Sequence, residues 1–397
     1  MVLLGREMPG FSESIEAYHE TASAARKLDD FGDDDYREAL GELCRSLDED
    51  ADLTELGRVA LERMILDALE ARLLVEDGWR RHPEARDVRI ERPLVIVGLP
   101  RSGTTALHHL LYQSQDFQAL EHWLMRTPKP RPPRDRWKDD ADYLASEARV
   151  RMMYERSPEM RAIHEIEADL PDECWNLFSQ NFAHSSWEAN VNVPQYAAWW
   201  ANSDMTPVYR RHRRNVQLIG LPREGTRPER RWLFKDATHL FDLDGLFSVY
   251  PDAMIVQPHR DPVRFMPSIC SLCWSARDPL NANADRKAFA RSALDLWQRS
   301  IDSMMRAREG RDPRQFYDLA FEDFVSDPLQ AIRDIFTHFD LELSNEAESA
   351  IRRFHDANPR GKHGEHRYSL AEWGFDADEI TERFEAYTRR YAVRRSA

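Results

Sequence analysis

Cysteine is scarce in this chain: Cys44, Cys174, Cys270 and Cys273 are the four in 397 residues. Cys270 and Cys273 form a C-x-x-C, but no second pair exists to complete a zinc site. They read as reduced, buried thiols near a helix. No H-x-x-x-H or similar ligand cluster is present, and no metal is expected. No apolar run approaches the roughly 18 residues of a membrane span. The opening MVLLGREMPGFSES lacks the basic leader and long apolar core of a signal peptide. A cytoplasmic protein without stable membrane insertion is the expectation. Basic charge is outweighed, with 55 Lys and Arg against 70 Asp and Glu and a net charge of −15. That balance argues against a general nucleic-acid binder, whose footprint would be basic. Internal repeats and low-complexity tracts are also absent.

A hydrophobic content of 42% supports a substantial core. The most informative stretch is PLVIVGLPRSGTTALHHLL, residues 93–111. An apolar, β-branched run (Leu94 to Val97) meets a glycine turn that opens a helix. Gly98 and Gly103 are spaced as in the phosphate loop G-x-x-x-x-G. A nucleotide triphosphatase needs Lys and then Ser or Thr after the second glycine; here the pair is Thr104 and Thr105. The first N–H groups of a helix lack partners and sit at the positive end of its dipole. A glycine-rich turn lets them converge on one phosphate. Arg101 adds a fixed cation. Without the lysine, Mg-nucleotide is a poor fit. A ligand with one 5′-phosphate, extended by another anionic group near Arg101, fits better.

Apolar positions recur at helical spacing through residues 11–80, which predicts helices used for packing or for homo-oligomer contact. The α/β part starts near Val88. The expected organisation is a helical N-terminal extension over 1–88 and an α/β domain over 89–397. A mainly helical insertion or lid occupies 113–229 of that domain. Within the insertion, 128–136 is a proline-rich connection. Helices are predicted at 141–154, at 171–182 and through VYRRHRRNVQLIG. Strands return at 230–235, 253–257 and 315–319. Strands alternating with helices argue for a parallel sheet with helices on both faces. Ligands of such sheets sit at the carboxyl ends of the strands. The loop 98–105, Lys235 and the segment after Gln257 should therefore meet around one cleft.

After the strand at 253–257 comes PHRDPVRFMPSICSLCW. Arg260 at the strand end, with Ser268 eight residues on, can grip a second phosphate. GLPRSGTT followed by HRDPVRFMPS resembles the paired signatures of sulfotransferases that use 3′-phosphoadenosine 5′-phosphosulfate (PAPS), in their bacterial-type branch. PDECW, RRWLFKDATHL, YPDAMIVQPHRDP, FEDFVSDP and KHGEHRYSLAEWGFD agree with it. The resemblance covers roughly residues 90 to 395. It implies a P-loop-like central parallel sheet flanked by helices. It also implies that Pro100, Arg101, Ser102, Gly103, Thr104 and Thr105 hold the 5′-phosphosulfate while Arg260 and Ser268 hold the 3′-phosphate. Lys362, with His363 and Tyr368, would belong to a terminal loop that closes over the donor. Three positions depart from the pattern of cytosolic relatives. Ala106 stands where a Trp would stack on adenine, Phe321 where a Tyr would stand, and Ala237 where their catalytic histidine lies.

Sulfuryl transfer resembles phosphoryl transfer, an in-line displacement in which the protein positions groups and stabilises charge. Arg101 is placed to stabilise charge on the leaving phosphate. Lys235 matches the family lysine that contacts the sulfonate. Glu173, in ADLPDECW at a predicted helix start, is the first choice of base for the acceptor hydroxyl. Glu121 is second and His239 third; His164 and His184 read as surface or packing residues. Trp175, Trp187, Trp199 and Trp200 crowd the insertion, either as ordinary core or as an aromatic lid over a lipophilic or aromatic alcohol. Arg210 to Arg214 (RRHRR) read as a solvated helix face. The competing readings are a kinase on a variant phosphate loop and a non-catalytic nucleotide-binding protein.

Overall fold

The computed structural model describes residues 9–114, 116–156, 161, 165–227, 229–359 and 368–394. Five strands form one sheet: β1 (Leu94–Ile96), β2 (Phe117–Ala119), β3 (Arg231–Lys235), β4 (Met254–His259) and β5 (Phe316–Ala320). Their order is β2-β3-β1-β4-β5, and every neighbouring pair is parallel. β1 and β4 are buried at every position, as expected of strands covered on both faces. This is the P-loop-like sheet flanked by helices that the sequence predicts. Three of the returning strands lie within a residue or two of their expected positions. β2 is an addition: three residues with Gln118 at the centre carry little strand pattern, and pairing with β3 makes the strand.

Ile96 of β1 stands opposite Lys235 of β3 and Val256 of β4. The ends of β1 and β3 therefore reach the same level, while β4 runs on past them to His259. The chain leaves β1 toward β2 on one side and returns as β4 on the other. That reversal opens a crevice at the end of β1.

The two faces of the sheet belong to two apolar clusters. On one, Leu94, Ile96, Leu233 and Val256 pack with Leu107, Leu110 and Leu111 of the helix after β1, and with Ile332, Ile335 and Phe336. On the other, Val95, Val97, Phe234 and Ile255 share a core with the N-terminal helices α1 (Ile15–Arg26), α2 (Arg37–Glu49) and α3 (Glu55–Arg81). Residues 11–81 are thus part of the main core, and their apolar faces are turned into this chain. α3 is capped by Thr54, whose Oγ1 accepts from the Gly57 N–H at 2.9 Å. Gly57 is required by close approach: a Cβ there would lie 2.1 Å from the Leu280 carbonyl oxygen.

Two sequence expectations need correction here. The RRHRR segment lies on the helix Thr206–Ile219 and is solvated only in part: Arg210 and Arg213 are exposed, while Arg211 and His212 are buried. Arg211 is buried and donates to Glu76 Oε1 of α3 at 2.8 Å and to Gln180 Oε1 at 2.9 Å. Arg214 reaches Glu76 Oε2 at 2.9 Å, and His212 meets the Tyr250 hydroxyl at 2.8 Å. Burial pulls the Arg211 guanidinium down to about 9, opposed by Glu76. Arg72 of α3 is also buried and donates to the carbonyls of Gln180 and Asp33. These charges clamp α3 to the sheet's helical layer, so they were spent inward. The helix predicted over 171–182 is likewise only Trp175–Phe178 followed by a 3-10 turn. Pro171 instead bridges to Glu121, and the Asp172 N–H donates to the Leu120 carbonyl. That contact carries Glu173 to the end of the sheet.

Candidate active site

The loop from Val97 to Gly103 joins β1 to α4 (Thr104–Tyr112). Gly98 leaves no room for a side chain: a Cβ would lie 3.0 Å from Thr104 Cγ2 and 3.2 Å from Pro258 Cδ. Gly103, at φ 85°, turns the chain into the helix, and no side chain caps it. The first N–H groups of α4 are left facing the loop. Ser102 is buried and its hydroxyl donates to the Leu99 carbonyl at 2.6 Å, so it braces the loop from within. Arg101 adopts a left-handed backbone at φ 68°. For a residue other than glycine this costs about 1–3 kcal/mol. Interactions with the segment that follows β4 offset it. Arg101 Nε donates to Ser268 Oγ at 3.1 Å, and Arg260 Nη1 donates to the Arg101 carbonyl.

Arg101 and Arg260 are thereby held side by side at the end of β4. Burial pulls the Arg101 guanidinium below its ordinary value, with Arg260 adding to the effect and Tyr368 opposing it. Tyr368 completes the cluster. Burial raises its phenol, but hydrogen bonds with Ser268 and Arg260 and the nearby guanidinium charges bring it below its ordinary value. Two cations and two hydroxyls converging on one point form a site for an anion. Phe321 lies beneath it, with the Arg260 guanidinium 4.4 Å from its ring centre. The sequence-predicted pair Arg260 and Ser268 is brought together with the first loop, as expected. Lys362, His363 and His164 lie outside the described residues.

Lys235 ends β3 and is 2% exposed. Its Nζ donates to Thr105 Oγ1 at 3.2 Å and to Glu173 Oε1 at 2.7 Å. Glu173, whose side chain is 27% exposed, is the accessible member of this ion pair. Its position is set by neighbours that the sequence reading did not single out. The Glu173 N–H donates to Asp172 Oδ1 at 2.7 Å, and Asp172 Oδ2 meets His122 Nδ1 at 2.8 Å. The Cys174 N–H donates to the Lys235 carbonyl at 3.1 Å. Asp236, next to Lys235, is buried, and its Oδ1 accepts from the Thr238 N–H at 2.7 Å. Burial and the Glu173 carboxylate push its carboxyl up to about 7. An acidic residue beside a strand-end lysine was a visible signal for Asp236. His122 is 50 residues from Asp172 and had none.

The other candidates are held elsewhere. Glu121 is buried, accepts from the Tyr112 hydroxyl at 3.0 Å and pairs with Arg131 at 3.1 Å. His239 is 1% exposed, shares a 2.9 Å hydrogen bond with the Tyr209 hydroxyl, and packs against Phe178. A group so enclosed has no access to a diffusing hydroxyl. Trp200 packs on Phe241 and Trp199 donates to Glu38, so both serve the core. Cys270 and Cys273 are free thiols on the helix Pro262–Arg277, and burial pushes Cys273 up to about 12.

A family model described as the sulfotransferase family matches residues 93–345, which hold the loop, Glu173, Lys235, Arg260 and Ser268. The chain belongs to the sulfotransferase family. Among solved structures, it superposes on sulfotransferase STF1 from Mycobacterium tuberculosis H37Rv with a TM-score of 0.87 and 38% identity. That likeness covers 95% of this chain and 100% of the other. Sulfotransferase STF9 from Mycobacterium avium gives a TM-score of 0.88 at 25% identity, covering 98% and 99%. Coverage of this extent takes in most of the N-terminal helices, which the sequence motifs alone left out. Omega-hydroxy-beta-dihydromenaquinone-9 sulfotransferase Stf3 of Mycobacterium bovis is 25% identical over 268 residues. The chain spans 65% of the length of that curated relative. No helix among the described residues is long and apolar enough to cross a membrane.

Proposed function

We propose that this sulfotransferase-family chain moves a sulfuryl group from PAPS to the hydroxyl of a small lipophilic or aromatic acceptor, with Glu173 as the base. The observation that carries this reading is the Lys235 ammonium, which touches Thr105 of the anion loop and Glu173 at once. One cation thus links the place where an anion binds to the carboxylate that would take a proton.

The residues present fit the donor. The uncapped start of α4 and the crowded Gly98 make a cradle for its 5′ end. Arg260, Ser268 and Tyr368, next to Arg101, make a second anion locus suited to its 3′-phosphate. When bound, the donor supplies an electrophilic sulfur and a phosphate leaving group. Arg101 and the first N–H groups of α4 would stabilise negative charge at the loop. Lys235 would orient the sulfonate and hold Glu173 beside it. Glu173 would accept the hydroxyl proton. The acceptor that gives Stf3 its name, omega-hydroxy-beta-dihydromenaquinone-9, supports a lipophilic alcohol as the class.

The kinase reading lacks a lysine, since Thr104 stands in its place, and ATP makes no use of the second anion locus. A thermal shift with 3′-phosphoadenosine 5′-phosphate against Mg-ATP separates the two. The bisphosphate, at about a hundred times its dissociation constant, should add roughly 2.7 kcal/mol. Stabilisation by Mg-ATP alone would reverse the assignment.

A further inference from the structure

A cavity of about 490 Å³ lies beside the edge strand β2, between the proline-rich connection and the turn that leads into β3. Among the described residues, its lining includes none of the loop 98–105, Glu173, Lys235, Arg260 or Ser268, so it is a second site. Its size falls in the range of pockets that take small organic molecules, roughly 300–1,000 Å³. Tyr112, Phe354, Leu170, Pro132 and Pro133 line it and are partly exposed, so an occupant meets apolar surface.

The charge on this lining runs against that of the chain, whose net charge is −15. Four arginines, Arg131, Arg134, Arg227 and Arg230, stand with one carboxylate, Glu121. Arg131 and Glu121 pair at 3.1 Å with little exposure, and Arg131 also donates to Gln118 Oε1 at 3.0 Å, so these two are committed to the floor. The remaining guanidiniums are nearer to water. Arg227 is exposed and Arg230 partly so. Arg134 reaches out of the lining to Asp169 at 3.6 Å, with side chains 64% and 42% exposed. Such a pair contributes about 0–1 kcal/mol, so an incoming anion can compete for Arg134. Burial pulls the Arg230 guanidinium below its ordinary value; Arg227 and Arg131 add to this, while Tyr112 and Glu229 oppose it. Even with Asp169 and Glu229 counted from outside the lining, four cations meet three carboxylates. A cleft with one sign of charge in excess concentrates ligands of the other sign.

We propose that this cavity binds an organic sulfate or phosphate monoester that carries an apolar ring. Arg134, Arg227 and Arg230 take the ester oxygens, whose spacing suits guanidinium forks. The ring lies against Tyr112, Phe354 and the prolines. An inorganic anion would satisfy the charge but leave that apolar wall wet. A ring-bearing sulfate monoester is also what the proposed transfer releases, and this half of the class rests on that reading; the phosphate half does not.

The test is titration calorimetry on the full chain saturated with 3′-phosphoadenosine 5′-phosphate, which occupies the donor's own anion loci. The probes are 4-methylumbelliferyl sulfate, 4-methylumbelliferyl phosphate, the uncharged 4-methylumbelliferone and sodium sulfate. Arg134→Glu and Arg227→Glu reverse exposed charges on the lining. Arg136→Glu does so at a side chain 71% exposed that lies off the lining. At least one ester should bind the wild-type chain, and each lining variant should weaken it roughly tenfold or more. Arg136→Glu should stay within twofold. The free phenol and inorganic sulfate should bind at least tenfold more weakly than that ester. All three variants should keep bisphosphate affinity within twofold, which reports an intact fold. Tighter binding of the sulfate ester assigns the site to product, and tighter binding of the phosphate ester assigns it to a phosphorylated metabolite. No ester binding at millimolar concentration, wild-type ester affinity in both lining variants, an equal loss in Arg136→Glu, or sulfate binding as tight as the esters overturns the proposal. Failure of the wild-type chain to bind the bisphosphate sinks the donor reading instead, and the ester titrations, run without it, still decide the cavity.

Discussion

Replacing Glu173 by Gln keeps the shape of the side chain and one of its oxygens, but removes a negative charge 2.7 Å from the Lys235 ammonium. Two consequences follow, on different scales. Lys235 is 2% exposed, so losing its counter-charge leaves a cation enclosed. Breaking a buried ion pair from one side costs about 3–5 kcal/mol. The Glu173 side chain is 27% exposed, which lets water take up part of that, so the lower end applies. Removing a positioned general base lowers turnover by roughly 10²–10⁴-fold. The Arg101, Arg260 and Ser268 contacts do not involve Glu173, so donor affinity should hold. The assay is release of 3′-phosphoadenosine 5′-phosphate from the donor with an acceptor that the wild-type chain turns over. Bisphosphate affinity and urea unfolding are measured alongside. The expected pattern is kcat down at least a hundredfold, bisphosphate affinity within twofold, and stability down by about 3 kcal/mol. A kcat within tenfold of wild type removes Glu173 as the base. A loss of bisphosphate affinity as large as the loss of kcat would make it part of the donor site.

Arg260→Ala should weaken bisphosphate binding roughly 10- to 100-fold, as expected for charge-assisted hydrogen bonds, and leave acceptor affinity unchanged; equal weakening of both would count against the second anion locus. Asp236 gives a pH signature. Its carboxyl is raised to about 7 from an ordinary value of 3.8, so the folded chain holds a proton that the unfolded chain releases above about 4. Its contribution to stability is therefore favourable at low pH and falls as pH rises from about 4 through about 7. Asp236→Asn still accepts from the Thr238 N–H and should flatten that slope; urea midpoints at pH 5 and pH 8 that keep the wild-type difference would refute this. Arg211→Ala should lower stability by about 3 kcal/mol, because buried Glu76 loses one of its two cations and keeps only the more exposed Arg214 between α3 and the helix Thr206–Ile219. A loss under 0.5 kcal/mol would mean the N-terminal helices are an appendage after all.

The chemistry at the end of β1 was legible in the sequence because each piece is local. The β-branched run, two glycines and the hydroxyls after them specify a strand, a turn and a helix start within twenty residues. Lys235 and Arg260 were found as strand ends, and the parallel pairing puts both at the same edge of the sheet. What escaped depends on distant contacts. His122 and Asp172 meet only because the segment before Glu173 bridges to the end of β2, a strand too short to have a pattern. Tyr368 was named through the resemblance as part of a loop over the donor, but its contact with Ser268, a hundred residues away, had no local signal. The periodicity of residues 11–80 announced helices with an apolar face but not what that face covers. RRHRR looked solvated throughout because charge runs are usually so; Arg210 and Arg213 are, but the carboxylate that takes Arg211 inward comes from α3, far upstream.

Transfer of labelled sulfur from PAPS is the most direct test of the central claim. The wild-type chain, given the donor and a panel of hydroxylated ring compounds, should move label into an acceptor, and Glu173→Gln should move almost none. Label released only as inorganic sulfate, or no transfer of sulfur while the terminal phosphate of Mg-ATP reaches the same acceptors, would contradict it.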